Sequence, residues 1–246
     1  IMGERIVFRK NDRLHTVNPR WRGNPTAGGR FFNRQHRWKP GVGSVLKWRF
    51  SPNPQRKEKK MIKWNPQVHF LHSLDHVVGN SLIWLGHNSF FLQLGGKRFM
   101  IDPVFDSIPF VRRRSRFPAN VSAFQQIDYL LISHDHFDHL DKPSVARLVE
   151  MNPQMKLFCG IGTGALIKGW FPSMEVIEAA WYQQWKDEGL SLTFLPSQHW
   201  SKRGVSDGGE RLWGAFMIEA DGITIYNSGD TGYAHHFSEL PEMFPH

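Results

Sequence analysis

The stretch Ser133-His134-Asp135-His136-Phe137-Asp138-His139 follows an apolar segment, Ile127 to Ile132, and it decides the fold of this chain. It carries three imidazoles and the carboxylate of Asp138 within six residues. Groups of these types suit a borderline divalent cation such as zinc, which takes nitrogen and oxygen ligands at about 2.0–2.2 Å. The stretch therefore predicts half of a metal site.

The spacing of these ligands has a geometric reason. If the apolar segment is a strand that ends at Ser133, His134 and His136 project to the same side, because strand side chains alternate. Asp138 and His139 then lie past the bend, near the start of a helix. Two ligand pairs on either side of a turn favour two neighbouring ions over one. The alternative is a surface loop that is merely rich in histidine.

Other elements are predicted by turn and capping residues. Gly95-Gly96 and Asp221-Gly222 predict two-residue hairpin turns between apolar segments. Asp141 as N-cap, with apolar residues at helical spacing behind it, predicts a helix over residues 142–151. A second helix is expected to open at residues 164–168. The predicted strands are residues 82–85, 90–94, 97–101, 129–133, 156–159, 175–177, 192–195, 214–219 and 223–227.

The spacing His134-x-His136-x-Asp138-His139 resembles the H-x-H-x-D-H signature of the metallo-β-lactamase superfamily. Further stretches, in order over residues 81–233, are similar to the branch that contains N-acyl-phosphatidylethanolamine-hydrolysing phospholipase D. They are Leu85-Gly86-His87-Asn88-Ser89, Ile101-Asp102-Pro103-Val104-Phe105, Pro196-Ser197-Gln198-His199-Trp200, Leu212-Trp213-Gly214 and Ser228-Gly229-Asp230-Thr231-Gly232-Tyr233. The resemblance implies an α/β (α+β) chain folded as a four-layer αββα sandwich, with a metal pair at one sheet edge.

The resemblance also implies which residues bind the first ion. His134, His136 and His199 would be its ligands, and Asp230 would bridge it to a second ion. By ligand type both divalent ions are expected to be zinc, with iron or manganese as alternatives.

The second ion would be held by Asp138 and His139, and Asp138 would also be catalytic by orienting the nucleophile or taking its proton. The superfamily's last histidine ligand lies on a strand well past the turn that contains Asp230. His235, His236 and His246 follow that turn too closely to match it. We therefore expect the sandwich, and the printed chain, to be incomplete at the C-terminus.

Four weaker candidates surround these ligands. Asp102 is expected either to accept an N–H from a ligand imidazole or to serve a turn or helix cap. His87 is expected either to position a phosphate, as in the phospholipase branch, or to make a local turn hydrogen bond. Arg112 and Arg114 belong to a basic run that either contacts a phosphate or headgroup or forms a solvated loop.

Charge is concentrated in the N-terminal quarter of the chain. Residues 1–60 contain 16 Lys and Arg against 3 Asp and Glu, a net of +13, while residues 61–246 contain 15 against 19, a net of −4. We expect residues 1–66 to be a basic arm and linker, followed by the metallo-β-lactamase-like domain over residues 67–246. The arm suits peripheral contact with an anionic membrane, or is a plain solvated tail. We expect no nucleic-acid partner.

The chemistry expected of two ions is hydrolysis. A water that bridges divalent ions about 3.5–4 Å apart becomes hydroxide near neutral pH. The leading hypothesis is a binuclear hydrolase, a phosphodiesterase of phospholipase D type acting on N-acyl-phosphatidylethanolamine-like lipids. A sugar-phosphate lactonase of the same superfamily is one alternative. A non-catalytic metal-binding or membrane-binding module is another.

The compartment is less well defined by the sequence. The printed chain contains no apolar run long enough for a membrane span and no signal peptide in the usual order. A soluble protein and a peripherally membrane-associated one both fit. The expected partner is a phospholipid or another phosphate-containing small molecule, and the sequence carries no indication of the oligomeric state.

Overall fold

A computed structural model describes residues 5–35, 42–62, 67–109, 112–113 and 115–245. The first half contains β1 (Val7–Arg9), β2 (His15–Thr16), β3 (Asn24–Ala27), β4 (Arg30–Phe31), α1 (Val42–Phe50), α2 (Arg56–Met61), β5 (Ser81–Gly86), β6 (Ser89–Leu94), β7 (Lys97–Ile101), a 3-10 turn (Val121–Ala123) and β8 (Tyr129–Ile132). The second half contains α3 (Lys142–Met151), β9 (Lys156–Gly160), α4 (Thr163–Trp170), β10 (Glu175–Ala179), β11 (Gln183–Asp187), β12 (Leu190–Leu195), β13 (Ala215–Ala220), β14 (Ile223–Asn227) and α5 (His236–Met243).

Two sheets form the body of the molecule. The larger has the order β10-β9-β8-β7-β6-β5, and its strands β7 to β10 pair in parallel. The second has the order β14-β13-β12-β11-β2 and is antiparallel throughout. A small third sheet has the order β1-β3-β4.

Two apolar layers hold these elements together. One lies between the sheets, where Phe99 and Leu131 of the larger sheet join Phe194 and Phe216 of the second. The other lies between the larger sheet and helices α3 and α4. All four residues of β8 are buried, as expected for a parallel strand covered on both faces. The chain is thus a mixed α/β sandwich of the predicted class.

The turn and capping predictions are confirmed. Gly95 and Gly96 have φ of 57° and 74°, and Asp221 and Gly222 have φ of 52° and 69°. These left-handed pairs match the hairpin turn that such dipeptides favour. The Asp141 side chain accepts a hydrogen bond from the backbone N of Ser144 at 3.0 Å and caps α3.

Residues 5–35, within the expected basic arm, contact the second sheet, the layer between the sheets and α5. Strand β2 pairs with β11, and Phe31 belongs to the layer between the sheets. Arg34 Nη1 contacts Glu239 Oε1 in α5 at 2.8 Å. The net charge indicated an arm because long basic side chains keep their charged ends in water. The position of residues 5–35 is set instead by the apolar residues and the strand residues that lie between the basic ones.

Residues 42–62 differ from this packed segment. They form α1 and α2, and no residue of α2 is buried. Within the described ranges, no helix combines the length and apolarity needed to cross a bilayer.

Candidate metal centre

Four chain segments meet at one edge of the sandwich. Residues 134–139 follow β8, His199 follows β12, and Asp230 follows β14. The turn of residues 87–88 joins β5 to β6 at the same edge. Side chains distant in sequence therefore converge where strands end, as is usual for sites on α/β scaffolds.

The approach of Asp230 to this edge depends on Gly229. Its φ is 52°, and a Cβ there would lie 2.8 Å from Ser133 Cβ and 3.0 Å from the carbonyl oxygen of Gly214. Both the backbone conformation and the space favour glycine. A larger residue would push the following carboxylate away from the histidines.

Three imidazole nitrogens form a compact triangle. His134 Nε2 lies 2.9 Å from His136 Nδ1, and His199 Nε2 lies 3.2 Å from each of them. Two ligands of a tetrahedral zinc at about 2.0–2.1 Å are separated by about 3.3–3.4 Å, so the triangle has nearly the size of one face of such a site.

The triangle also fits a cation by the chemistry of its donors. Each nitrogen carries either a hydrogen or a lone pair, so at least two of the three are of the same kind. Two lone pairs, or two N–H groups, repel each other at this distance. A cation that accepts all three lone pairs removes the conflict.

A second group of donors adjoins the triangle. His139 Nε2 lies 3.4 Å from Asp230 Oδ1, and His199 Nε2 lies 3.9 Å from Asp230 Oδ2. Asp138 and His139 have ligand atoms within 4.8 Å of each other. The carboxylate of Asp230 thus lies between the two groups, which is the position required of a bridge. All six predicted ligands are brought together.

Asp102 lies beneath His139 and contacts its imidazole. Its Oδ2 accepts from His139 Nδ1 at 2.8 Å and from Ser133 Oγ at 2.5 Å, and Oδ1 accepts from Ser133 N at 2.8 Å. The carboxylate is buried and the residue has a left-handed φ of 42°. Because Nδ1 donates to Asp102, Nε2 of His139 is left as a potential ligand.

Protonation differs between the two groups. Burial, followed by repulsion from neighbouring imidazoles, lowers the pKa of His134 well below its usual range and that of His199 to about 4. Both are therefore neutral at pH 7, the form that binds metals. Burial alone would also lower the pKa of His139, but Asp102 and then Asp230 raise it to about 10.

A buried ion network lies behind residues 134–139, the ligand loop, and was not predicted from the sequence. Asp135 is fully buried, and its Oδ2 accepts from Arg211 Nε at 2.5 Å. Its Oδ1 accepts from Lys202 N at 2.9 Å, while Arg203 Nη1 donates to the carbonyl oxygens of Asp135 and Leu140. The alternation of side chains could have indicated this network. A carboxylate between two histidines that project to the other side points into the domain and needs a partner there.

Two asparagines at the site were also missed. Asn88 Nδ2 donates to Asp230 Oδ1 at 2.7 Å and lies 3.2 Å from His139 Nε2. Asn33 Nδ2 donates to the carbonyl oxygen of His199 at 2.8 Å. Asparagine alone has no distinctive motif, so only the folded chain identifies these contacts.

The remaining candidates have different surroundings. His87 Nε2 lies 2.9 Å from Asp138 Oδ2, inside the site. Arg112 is exposed, and Arg114 lies outside the described residues. Between them, Arg113 Nη1 donates to the carbonyl oxygen of Val104 at 3.0 Å and so stabilises its own loop.

Comparisons with known proteins agree with this architecture. Residues 97–244, which include all six candidate ligands, match the family described as the beta-lactamase superfamily domain. The N-acyl-phosphatidylethanolamine-hydrolyzing phospholipase D 1 of Caenorhabditis elegans is 29% identical over 233 residues, covering 85% of this chain and 65% of that protein. A metal-dependent hydrolase of Saccharolobus solfataricus is 29% identical over 166 residues, covering 66% of each. The chain thus spans slightly less than two thirds of the length of these curated relatives.

The fold has solved counterparts. A metallo hydrolase from the archaeon Ignicoccus hospitalis superposes with a TM-score of 0.51 at 21% identity, covering 66% of both chains. This likeness concerns the fold, whereas the family match includes the ligand motif and more than half of the sequence. On that match, the chain belongs to the metallo-β-lactamase superfamily.

Proposed function

We propose that this protein is a binuclear metal-dependent hydrolase, a phosphodiesterase of phospholipase D type acting on N-acyl-phosphatidylethanolamine-like lipids. The observation that carries the proposal is the similarity to the Caenorhabditis elegans enzyme over 85% of the chain. The arrangement of imidazole and carboxylate donors at one sheet edge supports the metal dependence.

The chain would hold two ions with different donor sets. His134, His136 and His199 supply three neutral nitrogens to the first. Asp138 and His139 supply the second set. Nitrogen and oxygen donors favour zinc and also accept iron or manganese.

Asp230 would bridge the two ions. Divalent ions held there would lower the pKa of a bound water toward neutrality and would neutralise charge on phosphodiester oxygens.

Asp138 would orient the attacking water. The hydrogen bond with His87, which outweighs the opposing effect of burial, lowers the pKa of Asp138 to about 2, and a cation bound by the same carboxylate would hold that pKa low in its place. A carboxylate with so low a pKa is a weak base at pH 7 but a constant hydrogen-bond acceptor. Its role in this proposal is therefore to hold the water in line with phosphorus.

The proposed reaction transfers the oxygen of water to phosphorus. The bond between phosphorus and the ethanolamine oxygen breaks, and that oxygen leaves with a proton. The products are phosphatidic acid and an N-acylethanolamine.

Contact with the lipid surface would be made by α1 and α2. Phe50 is 78% exposed and Met61 is 81% exposed, and the basic side chains Lys57, Lys59 and Lys60 lie in α2. Apolar and basic groups on short helices suit an anionic membrane interface, where each basic residue contributes about 1 kcal/mol.

The test uses purified, zinc-loaded protein and N-acyl-phosphatidylethanolamine in mixed micelles, with both products followed by mass spectrometry. We expect equimolar phosphatidic acid and N-acylethanolamine, and loss of both in His134→Ala. Hydrolysis of a sugar-phosphate lactone without lipid cleavage would replace this proposal by the lactonase alternative. If the protein hydrolyses neither substrate, the alternative that remains is a non-catalytic metal-binding or membrane-binding module.

The membrane contribution is tested separately. A triple variant, Lys57→Glu, Lys59→Glu and Lys60→Glu, should lose activity on anionic vesicles while keeping activity on neutral micelles. Equal activity of this variant and the native protein on vesicles would contradict membrane contact through α2.

A further inference from the structure

The turn between β5 and β6 has an unusual backbone. His87 has a left-handed φ of 52° and follows Gly86, whose φ is 98°. Left-handed backbone is uncommon for residues other than glycine, and strained positions of this kind are concentrated at functional sites. Trp84 Nε1 donates to the carbonyl oxygen of His87 at 2.7 Å and fixes the turn.

This conformation directs His87 into the second group of donors. Its Nε2 lies 2.9 Å from Asp138 Oδ2, and its ring lies 5.6 Å from the ring of His139. Ligand atoms of His87, Asp138 and His139 all lie within 4.8 Å of one another.

The contact distance fits two ligands of one ion. Ligands at about 2.0–2.2 Å from a metal are about 3.0 Å apart when they subtend a right angle and about 3.4 Å apart in a tetrahedron. The 2.9 Å between His87 and Asp138 is close to the first value. An imidazole, a carboxylate and a second imidazole form a donor set that zinc commonly takes.

We propose that His87 is a ligand of the ion bound by Asp138 and His139. This inference rests on the binuclear site of the proposed function and adds a ligand to it. The same turn would then serve both ions, since Asn88 donates to the bridging carboxylate of Asp230 at 2.7 Å.

The competing explanation is that His87 only hydrogen-bonds Asp138. Two substitutions separate the explanations. His87→Gln keeps an N–H donor of similar reach but replaces the imidazole by a poor ligand. His87→Glu supplies a carboxylate ligand but places a second negative charge against Asp138. A ligand role predicts that the second ion is retained in His87→Glu and lost in His87→Gln, and a hydrogen-bonding role predicts the reverse.

The experiment measures ion binding rather than activity. Chelator-treated protein is titrated with zinc against a chromophoric chelator, and cobalt spectra report the coordination of each ion. We expect two ions in the native protein. In His87→Ala and His87→Gln the first ion should keep its affinity, while the second should bind at least about 100-fold more weakly. His76→Ala, which removes an exposed histidine from the preceding loop, is the matched control and should bind both ions normally.

Each outcome is decisive. Unchanged affinity for the second ion in His87→Ala, or retention in His87→Gln with loss in His87→Glu, overturns the inference alone. A native protein that takes only one ion overturns it together with the binuclear site. If the native protein and its variants bind ions as described but the native protein cleaves no lipid, His87 remains a ligand. Only the proposed substrate is then contradicted. Retained affinity for the first ion shows that each variant is folded.

Discussion

Asn33 donates a buried hydrogen bond from Nδ2 to the backbone carbonyl oxygen of His199, across 166 positions of sequence. The N-terminal segment therefore supports the loop that carries one of the three clustered imidazoles. Its removal should affect the metal centre although none of its residues is a proposed ligand.

Asn33→Ala tests this support. The substitution leaves a buried carbonyl oxygen without its donor, which costs about 1–3 kcal/mol of unfolding free energy. We also expect the first ion to bind about 10–100-fold more weakly, because the His199 loop is less well held. Urea unfolding and zinc competition measure the two effects. Asn53→Ala, at an exposed position, should change neither, and equal behaviour of the two variants would refute the proposed support.

Asp102→Asn should weaken binding of the second proposed ion. The carboxylate fixes the orientation of His139 through Nδ1, and loss of such a partner typically lowers metal affinity about 10–100-fold. Zinc competition reports the change. Asp106→Asn is a suitable control, because Asp106 lies in the same loop and its ion pair with Arg147 is exposed. A second-ion affinity unaffected by Asp102→Asn would show that Asp102 serves only the turn.

Arg211→Met should destabilise the ligand loop. It leaves the buried carboxylate of Asp135 without its guanidinium, and an unpaired buried charge costs about 3–5 kcal/mol. Adding Asp135→Asn should restore part of the loss, because the charge that needs a partner is then gone. Urea unfolding of the single and double variants measures the coupling. Arg147→Met, which breaks an exposed pair, should cost no more than about 1 kcal/mol.

Asp207, whose carboxylate pairs with Arg211 of the buried ion network, should make the stability of the protein depend on pH. Burial alone would raise the pKa of Asp207, but hydrogen bonds from Gly204 and Arg211 hold it below its usual range. A lowered folded pKa stabilises the protein above the unfolded value of about 3.9, and the contribution is lost as pH falls through the folded pKa. Asp207→Asn should therefore be less stable than the native protein by a constant amount between about pH 5 and pH 8.

Below about pH 4 the difference in unfolding free energy between Asp207→Asn and the native protein should become smaller. Unfolding is measured with chelator in all samples, so that loss of metal does not contribute. A difference that grows as the pH falls would contradict the assigned direction of the shift.

Local patterns predicted much of this fold. The helix expected over residues 142–151 has those bounds, and both predicted hairpin turns form. These elements are specified by neighbouring residues, through caps, turn dipeptides and side-chain alternation. The six proposed ligands converge for a related reason, since each follows a strand whose end lies at the same edge.

Strand β11 was not predicted, because residues that are buried in it are polar. Gln183 and Gln184 are buried, and their amides are satisfied by hydrogen bonds. Gln183 Nε2 donates to the carbonyl oxygen of Asn11, and Gln184 Nε2 donates to Thr193 Oγ1. Asn11 lies 172 positions from Gln183, and contacts so distant in sequence leave no local pattern. The packed position of residues 5–35 escaped prediction for the same reason.

The pairing of Thr16 with Gln183 and of His15 with Gln184 also sets an order of events during synthesis. When β2 leaves the ribosome, its partner strand has not been translated, and at about 5–20 residues per second it arrives on the order of ten seconds later or more. Throughout that interval β2 has no partner strand to pair with, and the like charges of the basic N-terminal segment keep it hydrated and apart from other nascent chains. The first strand of the second sheet to be translated is thus unable to pair until β11 has followed it.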